Sequence, residues 1–128
     1  QILPFLEQDD YDRLLWACDC NFVRGEDSFV RAQWAGKPMV WQIYPQNDEA
    51  HLAKLQAFLD LYCAKLPVDA ATALRTFWLA WNNNSLEARH WIDFWRYRQV
   101  LQAHAESWAG EMAKLGSLSF NLAHFVLD

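Results

Sequence analysis

The stretch Arg24-Gly25-Glu26-Asp27-Ser28-Phe29 gathers a cation, two carboxylates and a hydroxyl where a strand gives way to a helix. The first turn of a helix has N–H groups without intrahelical partners, and its dipole favours negative charge. An arginine beside that turn therefore makes a seat for an anion such as a diphosphate. A plainer reading stands next to it: Asp27 and Ser28 cap the helix, Glu26 serves the dipole, and Arg24 pairs with one of the acids. Two further groups fall at equivalent places. In Phe5 to Asp10, Phe5 offers a face to a base and Gln8 an amide to its edge, against the alternative that Phe5 is core. In Gln42 to Gln46, Tyr44 precedes Pro45 in a polar loop, so its hydroxyl faces a ligand unless the ring is a packing tyrosine. Open parallel sheets bind ligands at the carboxyl ends of their strands, and all three segments belong to that edge.

Other chemistries find little support. His51, His90, His104 and His124 lie on different helices without paired metal-ligand spacing, and no metal site is expected. There is no P-loop, dinucleotide fingerprint or nucleophile elbow. Eleven Lys and Arg against sixteen Asp and Glu leave 11 − 16 = −5 with no basic stripe, which argues against nucleic acid. Cys18, Cys20 and Cys63 are an odd set, and Cys18 and Cys20 are too close for a zinc knuckle or a disulfide framework, which suits a reducing, cytoplasmic home. No targeting segment and no apolar run of bilayer length is present in the sequence, so the expectation is a soluble protein with no membrane partner.

The loops need elements to hold them. Ile2 to Phe5 reads as a strand already under way when the numbering opens on Gln1 rather than Met, so further chain upstream is expected. Asp9 and Asp10 cap a helix with Tyr11, Leu14, Leu15 and Cys18 on one face; Cys20 to Val23 is a buried strand. Gly25 supplies backbone freedom before a second helix that ends at Gly36, and Met39 to Ile43 is a third strand. Strand, helix, strand, helix, strand is the pattern of a parallel sheet. From Asp48, helical spacing takes over through Leu52, Leu55, Leu59, Tyr62 and Leu66, stopped by Pro67. A helix follows Asp69, carrying Leu74, Phe77, Trp78 and Trp81 to the run Asn82-Asn83-Asn84. One long helix spans Leu86 to Leu115 with Trp91, Phe94, Trp95, Leu101, Trp108 and Met112 near one stripe, and a short one covers Ser117 to Leu127. With 128 residues the chain is one α/β domain, and three strands are a thin sheet for so many helices and aromatic rings, as if a piece were lacking.

Arg24 to Gly36, followed by Pro38 and Trp41-Gln42-Ile43-Tyr44, resembles the donor-site region of the bacterial arginine rhamnosyltransferases that mature elongation factor P. Leu3-Pro4-Phe5-Leu6 with Gln8, and Asp12, Leu14, Leu15 and Trp16 after them, resemble the same family. The likeness is close over the first fifty or so residues, and the helical remainder fits in order and character. It implies a GT-B enzyme of two Rossmann-like lobes. Residues 1–128 correspond to the C-terminal, donor-binding lobe, and the N-terminal acceptor-side lobe is absent from the chain.

The resemblance further implies TDP-β-L-rhamnose as donor, an arginine of elongation factor P as acceptor, inversion at the sugar carbon, and no metal or other cofactor. It puts Phe5 and Gln8 at the thymine, Glu26 and Asp27 at the ribose or sugar side with catalytic duties, and Arg24, Ser28 and Tyr44 around the diphosphate. Gly25 and Gln42 belong to the same donor site. A guanidinium stays protonated below a pKa above about 12, so a carboxylate must localise its charge or take its proton. The family's proposed general base is an aspartate of the other lobe, and the isolated chain is expected to bind nucleotide weakly and transfer nothing. Rival readings are a GT-B enzyme with a UDP- or GDP-sugar donor, and a non-enzymatic module that docks a protein through its aromatic helices.

Overall fold

The computed structural model describes residues 7–46 and 49–115. Helix α1 (Gln8–Ala17) leads to strand β1 (Asn21–Val23), helix α2 (Glu26–Trp34) and strand β2 (Met39–Trp41). Helices α3 (Ala50–Tyr62), α4 (Val68–Asn82), α5 (Ala88–Arg96) and α6 (Arg98–Leu115) follow. β1 and β2 pair in parallel with Asn21 opposite Met39 and Val23 opposite Trp41, so the βαβ unit read from the sequence is present. The strand expected over Ile2 to Phe5 and the helix expected over Ser117 to Leu127 lie outside the described residues.

β2 is buried at every position, and its partner α2 presses Phe29 flat against Trp41, with ring centroids 4.0 Å apart and planes 6° from parallel. Phe58 of α3 meets Phe29 edge-on at 4.6 Å and stacks on Trp78 of α4 at 5.8 Å. Phe29, Phe58 and Phe77 are buried almost completely, and each such ring contributes roughly 1.5–3 kcal/mol. Aromatic side chains thus fill the space between one short sheet and four helices.

The far edge of β2 is closed by side chains of α4. Trp78 Nε1 donates to the Met39 carbonyl at 2.9 Å, and Asn82 Nδ2 donates to the Trp41 carbonyl at 2.9 Å. Four residues of helix rise about 6 Å and two residues of strand about 6.6 Å, so an i, i+4 pair spans alternate strand carbonyls. Among the described residues no buried side-chain N or O atom lacks a partner. Gln33 is matched by the Trp108 indole at 2.9 Å, and Asn21 reaches the Leu15 carbonyl at 3.0 Å.

Several boundaries differ from the sequence expectation. Glu7, not Asp9 or Asp10, is the N-cap of α1, and the two aspartates sit in the first turn. Of that helix's expected face only Leu15 is buried. α3 stops at Tyr62, and Pro67 is the N-cap of α4, which therefore begins before Asp69. Proline suits that role because its fixed φ and missing N–H cost a helix start little. The single helix expected from Leu86 to Leu115 is two, broken at Tyr97, whose N–H turns back to the Phe94 carbonyl at 3.2 Å. The Arg98 guanidinium takes up the Trp95 carbonyl at 3.1 Å, so the break leaves that acceptor satisfied. The stripe divides accordingly: Phe94, Leu101 and Met112 are core, while Trp91 is 37% exposed.

All three cysteines are free thiols. Burial pushes Cys20 up to about 12 and raises Cys63 as well, which makes both poor nucleophiles. No described helix is long and apolar enough to cross a membrane.

Candidate functional site

Because β1 and β2 run parallel in register, their exits at Val23 and Trp41 lie side by side, and Arg24 emerges next to the segment Gln42 to Gln46. The Gln42 N–H continues the ladder to the Val23 carbonyl at 2.8 Å. The Trp41 indole N–H donates to the Arg24 carbonyl at 2.9 Å, tying the start of one loop to the end of the other strand. The Arg24 guanidinium lies over the Tyr44 ring, 4.6 Å from its centroid, a cation–π contact that holds both side chains together at the surface. Arg24 does not pair with Glu26 or Asp27, as the plainer reading had allowed. Arg24, Glu26, Tyr44 and Gln46 line a shallow hollow of about 30 Å³ with Lys54 of α3. That space holds about one water, so a large ligand would rest across this shelf rather than inside it.

α2 begins here. Gly25 is its N-cap and no side chain caps the helix, so the first-turn N–H groups are not taken up by a neighbouring Asp or Ser. Asp27 and Ser28, expected as caps, sit inside the first turn with Glu26. Gly25 has φ −64°, and a Cβ there would meet nothing within 4 Å. Its glycine is therefore not required by backbone conformation, contrary to the sequence expectation. The left-handed turn falls at Gly36 instead, with φ +67°.

The Asp27 carboxylate is partly committed: its Oδ2 accepts from Arg31 Nε at 3.0 Å. The same arginine grips Asp12 of α1 through Nη1 at 2.9 and 2.7 Å. Both carboxylates raise the Arg31 pKa, Asp12 most. Asp27 keeps Oδ1 free of described partners and is 75% exposed at its side chain, whereas Glu26 has no described ion-pair partner at all. Ser28 and Gln42 are half-buried, and Gln8 is an exposed residue that opens α1; none of these lines the hollow. Phe5 lies outside the described residues.

Sequence reading missed Lys54 and His51, which come to the site from α3. His51 Nδ1 accepts the Gln46 N–H at 3.0 Å and pins the loop's far end. Nothing in the spacing of α3 could have paired them with Arg24, which is 27 and 30 residues away (51 − 24 and 54 − 24). Larger hollows lie elsewhere, one of about 480 Å³ beside Asp19, Pro38 and Trp95 and one of about 350 Å³ between Tyr62 and Trp108. The first is at the entering ends of the strands, away from the helix amides and Arg24. Among the described residues no three His, Cys, Asp or Glu side chains gather as metal ligands.

With this geometry in place, residues 1–127 match the sequence model of the family described as Elongation-Factor P (EF-P) rhamnosyltransferase EarP. A protein-arginine rhamnosyltransferase of Pseudomonas aeruginosa is 56% identical over 128 residues, covering 100% of this chain and 34% of that protein. Its counterpart in Shewanella oneidensis is 44% identical, covering 98% of this chain and 32% of the relative. A solved structure described as the structural basis for EarP-mediated arginine glycosylation of translation elongation factor EF-P is 48% identical with a TM-score of 0.83, covering 98% of this chain and 39% of that one. The chain thus spans about a third of the length of the curated relatives it matches. Its α/β architecture, with a parallel pair and many helices, fits the C-terminal lobe of a GT-B enzyme. Matched along nearly its whole length in sequence and in fold, the chain belongs to the elongation factor P rhamnosyltransferase family.

Proposed function

We propose that this chain is the donor-binding lobe of an enzyme that transfers rhamnose from TDP-β-L-rhamnose to an arginine of elongation factor P. The observation that carries this reading is the Arg24 guanidinium held over Tyr44 beside an uncapped helix N-terminus. A diphosphate leaving from the sugar accumulates negative charge, and preorganised donors aimed at that charge lower the barrier. Arg24, the Tyr44 hydroxyl and the amides around Ser28 supply such donors without calling on a metal ion. Phe5 and Gln8 serve the thymine, and Gly25 and Gln42 flank the diphosphate.

Glu26, exposed and unclaimed by any described cation, orients the donor or draws charge along the acceptor guanidinium. Asp27 offers its free Oδ1 to a ribose or sugar hydroxyl while Arg31 holds the other oxygen. Proton removal from the acceptor falls to an aspartate beyond this lobe, and the reaction inverts the sugar carbon. The shelf's small volume supports a divided site, completed when a second lobe closes over it. The place of action is the cytoplasm, where a translation factor works.

Calorimetric titration of the chain with TDP, UDP and GDP tests the reading. TDP should bind at least tenfold more tightly than the other two, a difference of about 1.4 kcal/mol, and Arg24→Ala should weaken it by a similar factor. Equal affinity for the three nucleotides would remove the thymine assignment, and rhamnosylation of elongation factor P by this chain alone, read by mass spectrometry, would refute the divided site.

A further inference from the structure

Asn82 is the last residue of α4, yet its side chain behaves as part of the sheet. Its Nδ2 donates to the Trp41 carbonyl at 2.9 Å and to the Trp78 carbonyl at 2.8 Å, and its Oδ1 accepts the Ile43 N–H at 3.0 Å. In a parallel ladder one residue's N–H and C=O engage the carbonyl and the N–H that flank a residue on the neighbouring strand. Trp41 C=O and Ile43 N–H flank Gln42 in that way. A single primary amide therefore replaces the peptide groups of a strand neighbour at the point where β2 ends. On its other side the same segment is held by β1, through Gln42 N–H to Val23 C=O at 2.8 Å. Tyr44 follows immediately after this double attachment, with no further described bond from its own backbone before Gln46.

We propose that Asn82 is a positioning residue that sets the exit of β2 and thereby the Tyr44 ring on which Arg24 rests. The inference rests on the donor-site reading only for its functional consequence, since the geometric one stands by itself. Trp78, one helical turn earlier, makes the companion bond to Met39, at the start of β2 and away from Tyr44. The two side chains share the task of closing the edge, but only Asn82 acts on the loop. Their separation makes a test.

In the full 128-residue chain the Arg24 guanidinium carbon is 4.6 Å from the Tyr44 ring centroid, so the NMR signal of the Arg24 Nε–H should carry a ring-current shift. Asn82→Ala should abolish most of that shift and weaken TDP binding about tenfold. Trp78→Phe should lower the melting temperature while leaving the Arg24 signal and TDP affinity within about twofold. Asn82→Asp, which keeps the acceptor for Ile43 N–H but faces two carbonyls with oxygen, should move the Arg24 signal in the same direction and serves if the alanine variant does not fold. An unchanged Arg24 signal in a folded Asn82 variant overturns the proposal, as does an equal change in Trp78→Phe. Loss of the Arg24 signal with TDP affinity unaltered would keep the positioning role and sink the donor-site reading instead. Arg24→Ala separates the two failures, because it removes the cation without touching the β2 edge.

Discussion

Arg31 ties α1 to α2 and holds one oxygen of Asp27 in the first turn of α2, so replacing it tests how much that packing depends on charge. In Arg31→Met the aliphatic stem is largely kept and the charge is lost. Nη1 alone bridges both Asp12 oxygens, at 2.9 and 2.7 Å, between side chains only 16% and 26% exposed, and a charge-assisted contact of this kind is worth about 1.5–3 kcal/mol. The bond to Asp27 is an i, i+4 pair with a carboxylate 75% exposed, and solvent screening limits it to about 0.3–0.5 kcal/mol. The expected loss is therefore about 2–3 kcal/mol, nearly all of it from Asp12. For a chain of this size roughly 3–5 °C of melting temperature goes with each kcal/mol, giving a fall of about 6–15 °C. Calorimetry on Arg31→Met, Asp12→Asn and the double variant measures the coupling. The double variant should be more stable than the sum of the single losses by at least about 1 kcal/mol, because removing Arg31 alone leaves a half-buried carboxylate unpaired. Additivity within about 0.5 kcal/mol would show that the pair contributes nothing beyond its separate desolvation, and the reasoning would fail.

Two further predictions concern stability. Gly36→Ala forces a left-handed backbone, φ +67°, on a residue with a Cβ, and should cost about 1–2 kcal/mol in urea denaturation although Ala109 Cβ at 3.6 Å leaves room; no change in the midpoint would contradict the strain argument. His104 is held below its ordinary 6.5 chiefly by burial, opposed by its bond to the Tyr62 carbonyl and the nearby Glu111, and lowered further by Lys65. The unfolded chain therefore binds this proton at a higher pH than the native one, and stability falls as pH drops from about 6.5 toward the depressed native value. Melting temperatures between about pH 7 and 5 should decline less steeply in His104→Gln than in the parent; an identical slope would assign the acid sensitivity to other groups.

Much of this protein was legible residue by residue. The βαβ order, the helix after Arg24, its end close to Gly36 and the helix-rich second half depend on near-neighbour effects. Apolar spacing, turn residues and the missing amide partners of a helix end act over a few positions whatever the remaining chain does. The same locality explains the errors. Asp27 and Ser28 have the chemistry of caps, but Gly25 reached the cap position first, and Tyr97 breaks a helix without a proline or glycine to announce it.

What only the tertiary structure decided is which long-range pairs the fold brings together. Arg24 meets the ring of Tyr44, Arg31 claims Asp12 and Asp27, Lys54 arrives from α3, and Asn82 finishes a sheet to which its own helix does not belong. An amide, an indole N–H or a guanidinium has the same bonding capacity in every sequence. The backbone edge or carboxylate it finds is chosen by how buried aromatic faces such as Phe29, Trp41, Phe58 and Trp78 lock the helices against the strands. That packing is a collective property of residues far apart in the chain, and it has no signature in the spacing of any one segment.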